Sequence, residues 1–76
     1  MIIINNDAYI LDPKEVSIVR AGVTEILITM KGSPSCSSIP TKNPNEDARR
    51  LVEMINVDIK AGGDYVAVFN TESPDF

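Results

Sequence analysis

The first thirty residues alternate between apolar and polar positions in short runs that predict β-strands. Residues 1–4 (MIII) form a β-branched run that ends at the turn-forming residues 5–7 (NND). Residues 8–11 then predict the returning strand of a hairpin, and residues 16–21 and 24–30 predict a second antiparallel pair. In the last of these runs, isoleucines at alternate positions share one face, which is typical of a sheet with one covered side.

The segment that follows is rich in Gly, Ser and Pro and has two interpretations. It is either a loop or a short edge strand around residues 35–39. Pro34 and Pro40 both lack the N–H that a central strand would use, which favours the edge position.

The next pattern change predicts one α-helix over residues 44–60. Asn43 has the side chain of an N-cap, Pro44 suits the first helical position, and Glu46 lies where a capping box places its acid. The pair Gly62-Gly63 ends the helix. The predicted buried stripe follows helical spacing and consists of Ala48, Leu51, Val52, Ile55 and Ile59.

Residues 65–70 predict a final strand that is apolar on both faces. Val66 and Val68 lie on one face, opposite Tyr65, Ala67 and Phe69. One helix covers one face only, so the second face needs a partner subunit or an exchanged strand. We therefore predict Val66 and Val68 as contacts within an oligomer, and we interpret residues 71–76 as a frayed tail.

These elements predict a single α+β domain over residues 1–76. Its expected architecture is an antiparallel β-meander of three to five strands with the 44–60 helix packed on one face. The final strand joins the sheet of the same chain or of a neighbouring subunit.

Composition narrows the class of protein. The chain has 76 residues, one cysteine and no histidine, so an intramolecular disulfide and a Cys/His zinc site within one chain are both excluded. A domain this small is usually stabilised by disulfides, a metal or a partner subunit, and association with a partner subunit is the remaining option. We predict a homo-oligomer, most simply a two-fold dimer.

Charge and hydropathy bear on partners and location. The net charge of −4 makes nucleic acid an unlikely partner, because nucleic acids are bound largely through Lys and Arg. No apolar run approaches the roughly 20 residues needed to span a bilayer, and no basic region precedes the apolar start. With a single reduced cysteine, this pattern indicates the cytoplasm and no membrane partner.

Nothing in the sequence groups residues into a catalytic, metal or cofactor site. Cys36 has no histidine to activate it, and the serines lack the spacings of known nucleophile motifs. We therefore predict a protein that is not an enzyme and that has no cofactor.

Two regions carry candidate contacts. Ser35 and Ser37 lie in the Ser-rich segment before the helix, where hydroxyl groups are available to a ligand, although a flexible linker or an edge strand is the favoured interpretation. Arg49 and Arg50 either pair with Glu46 and Glu53 on a solvated helix face or contact a partner. Met54, with Val57, either widens the buried stripe or forms a contact surface beside Arg50.

Residues 1–57 resemble the short FlbD-like proteins associated with flagellar genes. The shared features are the opening apolar strand, the turn Leu11-Asp12-Pro13, a hairpin ending at Lys31-Gly32, and a helix with an acidic start that leads into Leu51 and Ile55. The resemblance implies a small regulatory or interaction protein with no catalytic residues. The chain departs from this pattern from Asp58 onwards.

The hypothesis from the sequence is a non-enzymatic, regulatory or protein-interaction module, of phage or bacterial accessory type, that binds another protein as a homo-oligomer. The alternative is a small-ligand or nucleotide-binding protein whose pocket forms between subunits, with the Ser-rich segment and Arg49 or Arg50 as polar contacts.

Overall fold

The computed structural model describes residues 1–6, 8–63 and 66–71. Among these residues no helix combines the length and hydropathy needed to cross a membrane. The elements follow one another as β1 (Ile2–Ile4), β2 (Tyr9–Leu11), a 3₁₀ turn (Pro13–Glu15), β3 (Val16–Ala21), β4 (Glu25–Met30), β5 (Cys36–Pro40), α1 (Pro44–Lys60) and β6 (Ala67–Phe69).

The first sheet joins the two ends of the chain in the strand order β2-β1-β6. β1 and β2 form the predicted hairpin, whose turn places Asn5 and Asn6 at φ values of 52° and 55°. Asparagine is one of the few residues that tolerates this left-handed region, which explains why the turn lies here. β6 then pairs with β1 in parallel, so the last strand of the sheet comes from beyond the helix.

The second sheet is an antiparallel meander in the order β3-β4-β5. Its strands follow one another along the chain, and a register irregularity between Val16 and Ile18 marks a bulge in β3. The segment containing the two predicted edge prolines does form an edge strand, β5, with Pro40 at its end.

The helix packs against both sheets and closes a single core between them. Its Ala48, Leu51 and Ile55 side chains are buried against apolar residues from the strands. The helix ends at Lys60, and Gly62 and Gly63 follow it, both at φ +82°. The Gly63 N–H donates to the Asp58 carbonyl at 3.2 Å. The strand residues of the core are Ile2, Ile4, Leu11, Ile26, Ile28, Ile39, Ala67 and Phe69.

The buried face of the helix differs from the predicted stripe. Val52 and Ile59 are exposed, whereas Asp47 and Asp58 are almost fully buried in their place. The inward face of the helix follows residues 47, 51, 55 and 58, so the buried stripe is rotated about the helix axis from the predicted one. Two of these four residues are acids. The prediction of Val52 and Ile59 as core residues was therefore wrong.

The α+β class and the helix bounds 44–60 are confirmed. The strands divide between two sheets, and the final strand pairs with β1 of its own chain. Tyr65, at the start of the predicted final strand, and residues 72–76 of the predicted tail lie outside the described residues.

Candidate functional site

The outward side of the first sheet carries an uninterrupted apolar row. Ile3 of β1 lies opposite Ile10 of β2 on one side and opposite Val68 of β6 on the other. Ile10 and Val68 are 64% and 62% exposed, and Val66 and Met1 add further exposed apolar surface nearby. We call these five residues the outer face.

Strand alternation explains how the outer face arises. Residues 2 and 4 of β1 point into the core, so Ile3 between them must point outward. The same holds for Val68, which lies between the buried Ala67 and Phe69. Both predicted oligomer contacts, Val66 and Val68, are therefore exposed; whether they form an oligomer contact stays a prediction.

A second apolar surface lies along one flank of the helix. A cavity of about 310 Å³ is lined by Arg50, Glu53, Met54 and Val57, and we call it the helix-flank groove. Met54 also packs against the core. It therefore belongs partly to the buried stripe and partly to the contact surface, the two alternatives that the sequence left open.

Arg50 is held in a fixed orientation at the edge of this groove. Its Nη1 donates to Asp47 Oδ1 at 3.1 Å, and its Cζ lies 5.1 Å from the centre of the Phe69 ring. A guanidinium has five N–H donors, and its side chain here is 52% exposed. The ion pair and the ring contact thus leave donors directed at solvent.

Asp47 ties the start of the helix to the second sheet. The Thr41 hydroxyl donates to Asp47 Oδ2, and both residues are buried. The same Thr41 oxygen accepts a hydrogen bond from the Asn43 N–H at 3.2 Å. Asn43 is the N-cap residue, as predicted, but its side chain makes no capping hydrogen bond to the helix.

The two arginines face different surroundings. Arg49 is exposed and lines a polar cavity of about 360 Å³ around the helix start, together with Lys42 and Glu46. Arg50, the next residue along the helix, points to a different side and lies at the helix-flank groove. The structure therefore does not bring them together as one cationic site.

The two candidate serines are also separated. Ser35 is exposed before β5, with its hydroxyl 3.4 Å from that of Ser33. Ser37 lies within β5 and lines a groove of about 330 Å³ between the two sheets. Neither serine lines the cavities described above for Arg49 and Arg50, so the polar contacts predicted for one ligand are divided among four places.

The sequence interpretation missed a buried carboxylate at the other end of the helix. Asp58 is 1% exposed, and its Oδ2 accepts a hydrogen bond from the Met1 amino nitrogen at 2.9 Å. Its Oδ1 accepts no hydrogen bond from the residues that the structure describes. Asp58 lines a cavity of about 340 Å³ with Asp12 and Lys14. The sequence did hold a signal for its burial, because Asp58 lies three helical turns after Asp47 on the helix face that carries Leu51 and Ile55.

No group of three or more potential His, Cys, Asp or Glu ligands occurs in the part of the chain that the structure describes. Comparison with protein-family models, curated proteins and solved structures gives no match to this chain. The resemblance to FlbD-like proteins stays a prediction.

Proposed function

We propose that this chain is a non-enzymatic protein-binding module of the cytoplasm that works as a homo-oligomer, with the outer face as the contact between copies. The observation that carries the proposal is the row formed by Ile10, Ile3 and Val68 across all three strands of the first sheet. Contiguous exposed apolar surface of this kind marks interaction sites in small soluble proteins.

A second copy is the proposed occupant because one apolar sheet face can pack against an identical one. Sheets pack face to face with their strands aligned within about 30°, and identical apolar faces meet this requirement across a two-fold axis. Each Ile or Val that becomes fully buried contributes about 1.5–3 kcal/mol.

The size of the face limits the strength of the contact. Three strands that are three residues long cover roughly 14 Å by roughly 10 Å. A stable interface buries about 800 Å² per partner, so Val66, Met1 and their surroundings must contribute as well. We expect association in the micromolar range, strengthened by salt because each chain carries a net charge of −4.

Sedimentation equilibrium tests this proposal. The wild-type chain is expected to associate, whereas Val68→Asp, which would bury a charge in the contact, is expected to sediment as a monomer. Ile18→Asp is the matched control, because Ile18 is also half exposed on a strand but lies on the outer side of the second sheet. A wild-type chain that stays at 8.3 kDa would remove the outer face as a self-association surface.

The helix-flank groove is the proposed contact for a different protein. Arg50 offers oriented donors at one end, Glu53 offers an acceptor, and Met54 and Val57 supply an apolar floor. This arrangement suits a partner segment with an apolar side chain flanked by an acid and a base. Capture of a stoichiometric partner from lysate should be lost with Val57→Asp and kept with Val23→Asp, a change at an exposed hairpin turn.

A second candidate function is the binding of a small polar ligand, which the cavity beside Asp58 favours. Its Oδ1 is a buried acceptor without a partner among residues 1–6, 8–63 and 66–71, and Lys14 supplies a positive charge on the same cavity. A small molecule that carries an ammonium group and a carboxylate would match Asp58 and Lys14 respectively. A thermal-shift screen discriminates, since a ligand at 100 times its Kd adds about 2.7 kcal/mol of stability.

A further inference from the structure

The groove between the two sheets has a strand edge as one of its walls. Side chains of adjacent strand residues point to opposite faces, yet four consecutive residues around β2 line this groove. Only the edge of a strand, with its backbone, can border a groove in that way. The lining residues are Ala8, Tyr9, Ile10 and Leu11 on that wall, with Ile4, Ile28, Met30, Ser37 and Ile39 opposite and below.

The hydrogen bonds of β1 show which peptide groups of β2 point outward. The Ala67 N–H donates to the Met1 carbonyl, and the Asn5 N–H donates to the Phe69 carbonyl, each at 3.0 Å. Backbone direction alternates along a strand, so the peptide groups of residues 2 and 4 point the other way, toward β2. Their register partners are residues 11 and 9. The N–H and C=O of Ile10, between those two, therefore point away from β1 and toward the open edge.

The opposite wall is apolar and already protected from strand pairing. The outward carbonyl of Ser38 in β5 accepts a hydrogen bond from the Tyr9 hydroxyl at 3.3 Å. The Pro40 carbonyl accepts one from the Thr71 hydroxyl at 3.1 Å, and Pro40 has no N–H to offer. None of the described residues that line the groove is charged. The groove thus joins one open strand edge to an uncharged apolar wall.

We propose that this groove binds an extended segment of a partner protein, which adds as a fourth strand beside β2. The segment's backbone bonds the N–H and C=O of Ile10, and its inward side chains, at alternate positions, lie over Ile28 and Met30. Strand addition of this kind takes affinity from main-chain hydrogen bonds and specificity from alternate side chains.

The chemistry of the walls determines the class of partner. An aliphatic small molecule fills the apolar space but leaves the Ile10 peptide groups without partners, whereas a peptide satisfies both. Inward side chains must be uncharged, because a charge placed against Ile28 and Met30 would lose its hydration without a counter-ion. Since β2 has three residues, the contact is short and the affinity modest. This groove shares only Ile10 with the outer face, and it uses the backbone of Ile10 rather than self-association through its side chain.

The test uses the acetylated and amidated peptide Thr-Val-Thr-Val-Thr as the probe, titrated into the ¹⁵N-labelled full chain and followed by amide resonances. We expect saturable shifts at residues 8–11, 37 and 39. Two further peptides carry N-methyl groups, one on both valines and the other on all three threonines. Because only one edge of the peptide faces β2, one methylated peptide should bind about tenfold more weakly or worse, and the other should bind like the parent.

Variants at the groove provide the second arm. Ser37→Lys places a charged chain in the groove and should abolish the shifts, whereas Ser35→Lys, outside the groove, should leave them unchanged. Val68→Asp should also leave peptide binding intact. Equal binding of all three peptides would contradict strand addition and indicate a purely apolar site. Shifts confined to Met1, Ile3, Val66 and Val68, or no saturable shifts at millimolar peptide, would overturn the proposal.

Discussion

The two sheets of this chain differ in what their outward faces carry. In the second sheet, Leu27 lies between Arg20 and Ser38, so each outward row mixes apolar and polar side chains. In the first sheet, Ile3 lies between Ile10 and Val68, and the row is apolar throughout. A sheet facing water normally alternates between buried apolar and solvated polar positions. The second sheet follows this rule and the first does not, which is why the proposed contact between copies uses the first sheet.

The sheets also differ in how their strands are connected. β3, β4 and β5 follow one another, whereas the first sheet joins β1 to β6 across the whole helix. The first sheet is therefore completed only when the helix is in place. We expect it to be the part of the fold most sensitive to changes at the helix.

The largest expected effect separates the two faces of β6. Phe69 is fully buried, so Phe69→Ala should reduce the free energy of unfolding by about 3–5 kcal/mol. Val68→Ala, on the opposite face of the same strand, should change it by less than about 0.5 kcal/mol under monomeric conditions. Urea unfolding measures both, and Phe69→Leu replaces the alanine variant if that variant does not fold. Equal losses at the two positions would contradict the assignment of inner and outer faces.

The next effect tests the link between the sheets. Asp47 accepts hydrogen bonds from Thr41, which follows β5, and from Arg50, which lies over Phe69 of β6. Asp47→Ala removes a charged acceptor from both and should cost about 2–3 kcal/mol by urea unfolding. Glu46→Ala, an exposed acid in the same helical turn, is the control and should cost under about 0.5 kcal/mol. Similar values for the two variants would mean that Asp47 does not connect the sheets.

A smaller effect is expected on the helix flank. Met54 is partly buried against the core, so Met54→Ala should cost about 1–2 kcal/mol, less than the 2–5 kcal/mol typical of a fully buried methionine. Val57→Ala, at the exposed end of the same groove, should be close to neutral in thermal melting. A Met54 variant as costly as Phe69→Ala would assign this residue to the core and leave Val57 as the apolar contact of the groove.

Local patterns were sufficient to predict most elements from the sequence. The helix bounds follow from Pro44 at one end and Gly62-Gly63 at the other, and both hairpins follow from apolar runs separated by turn residues. These signals act over a few residues, which is why they could be interpreted without tertiary information.

The remaining features depend on contacts between residues far apart in the chain. In the sequence, Asp47 and Asp58 look like solvated positions. Their hydrogen-bond partners are distant from the helix residues around them, since Asp47 bonds to Thr41 after β5 and Asp58 bonds to the Met1 amino group. The exclusion of Val52 and Ile59 from the core follows from those buried acids. The division into two sheets likewise depends on β1 pairing with β6, which no local pattern encodes. The candidate contacts were recognised as residues, but their separation into different surfaces required the fold.

The most direct test of the difference between the sheets is a dilution series followed by methyl NMR. With Ile and Val methyl groups labelled, the resonances of Ile3, Ile10 and Val68 should shift with protein concentration, while that of Ile18 on the second sheet should not. Val68→Asp should abolish the concentration dependence at Ile3 and Ile10. Concentration-dependent shifts at Ile18 with none at the outer face, or no dependence at any methyl group, would contradict the assignment of the first sheet as the self-association surface.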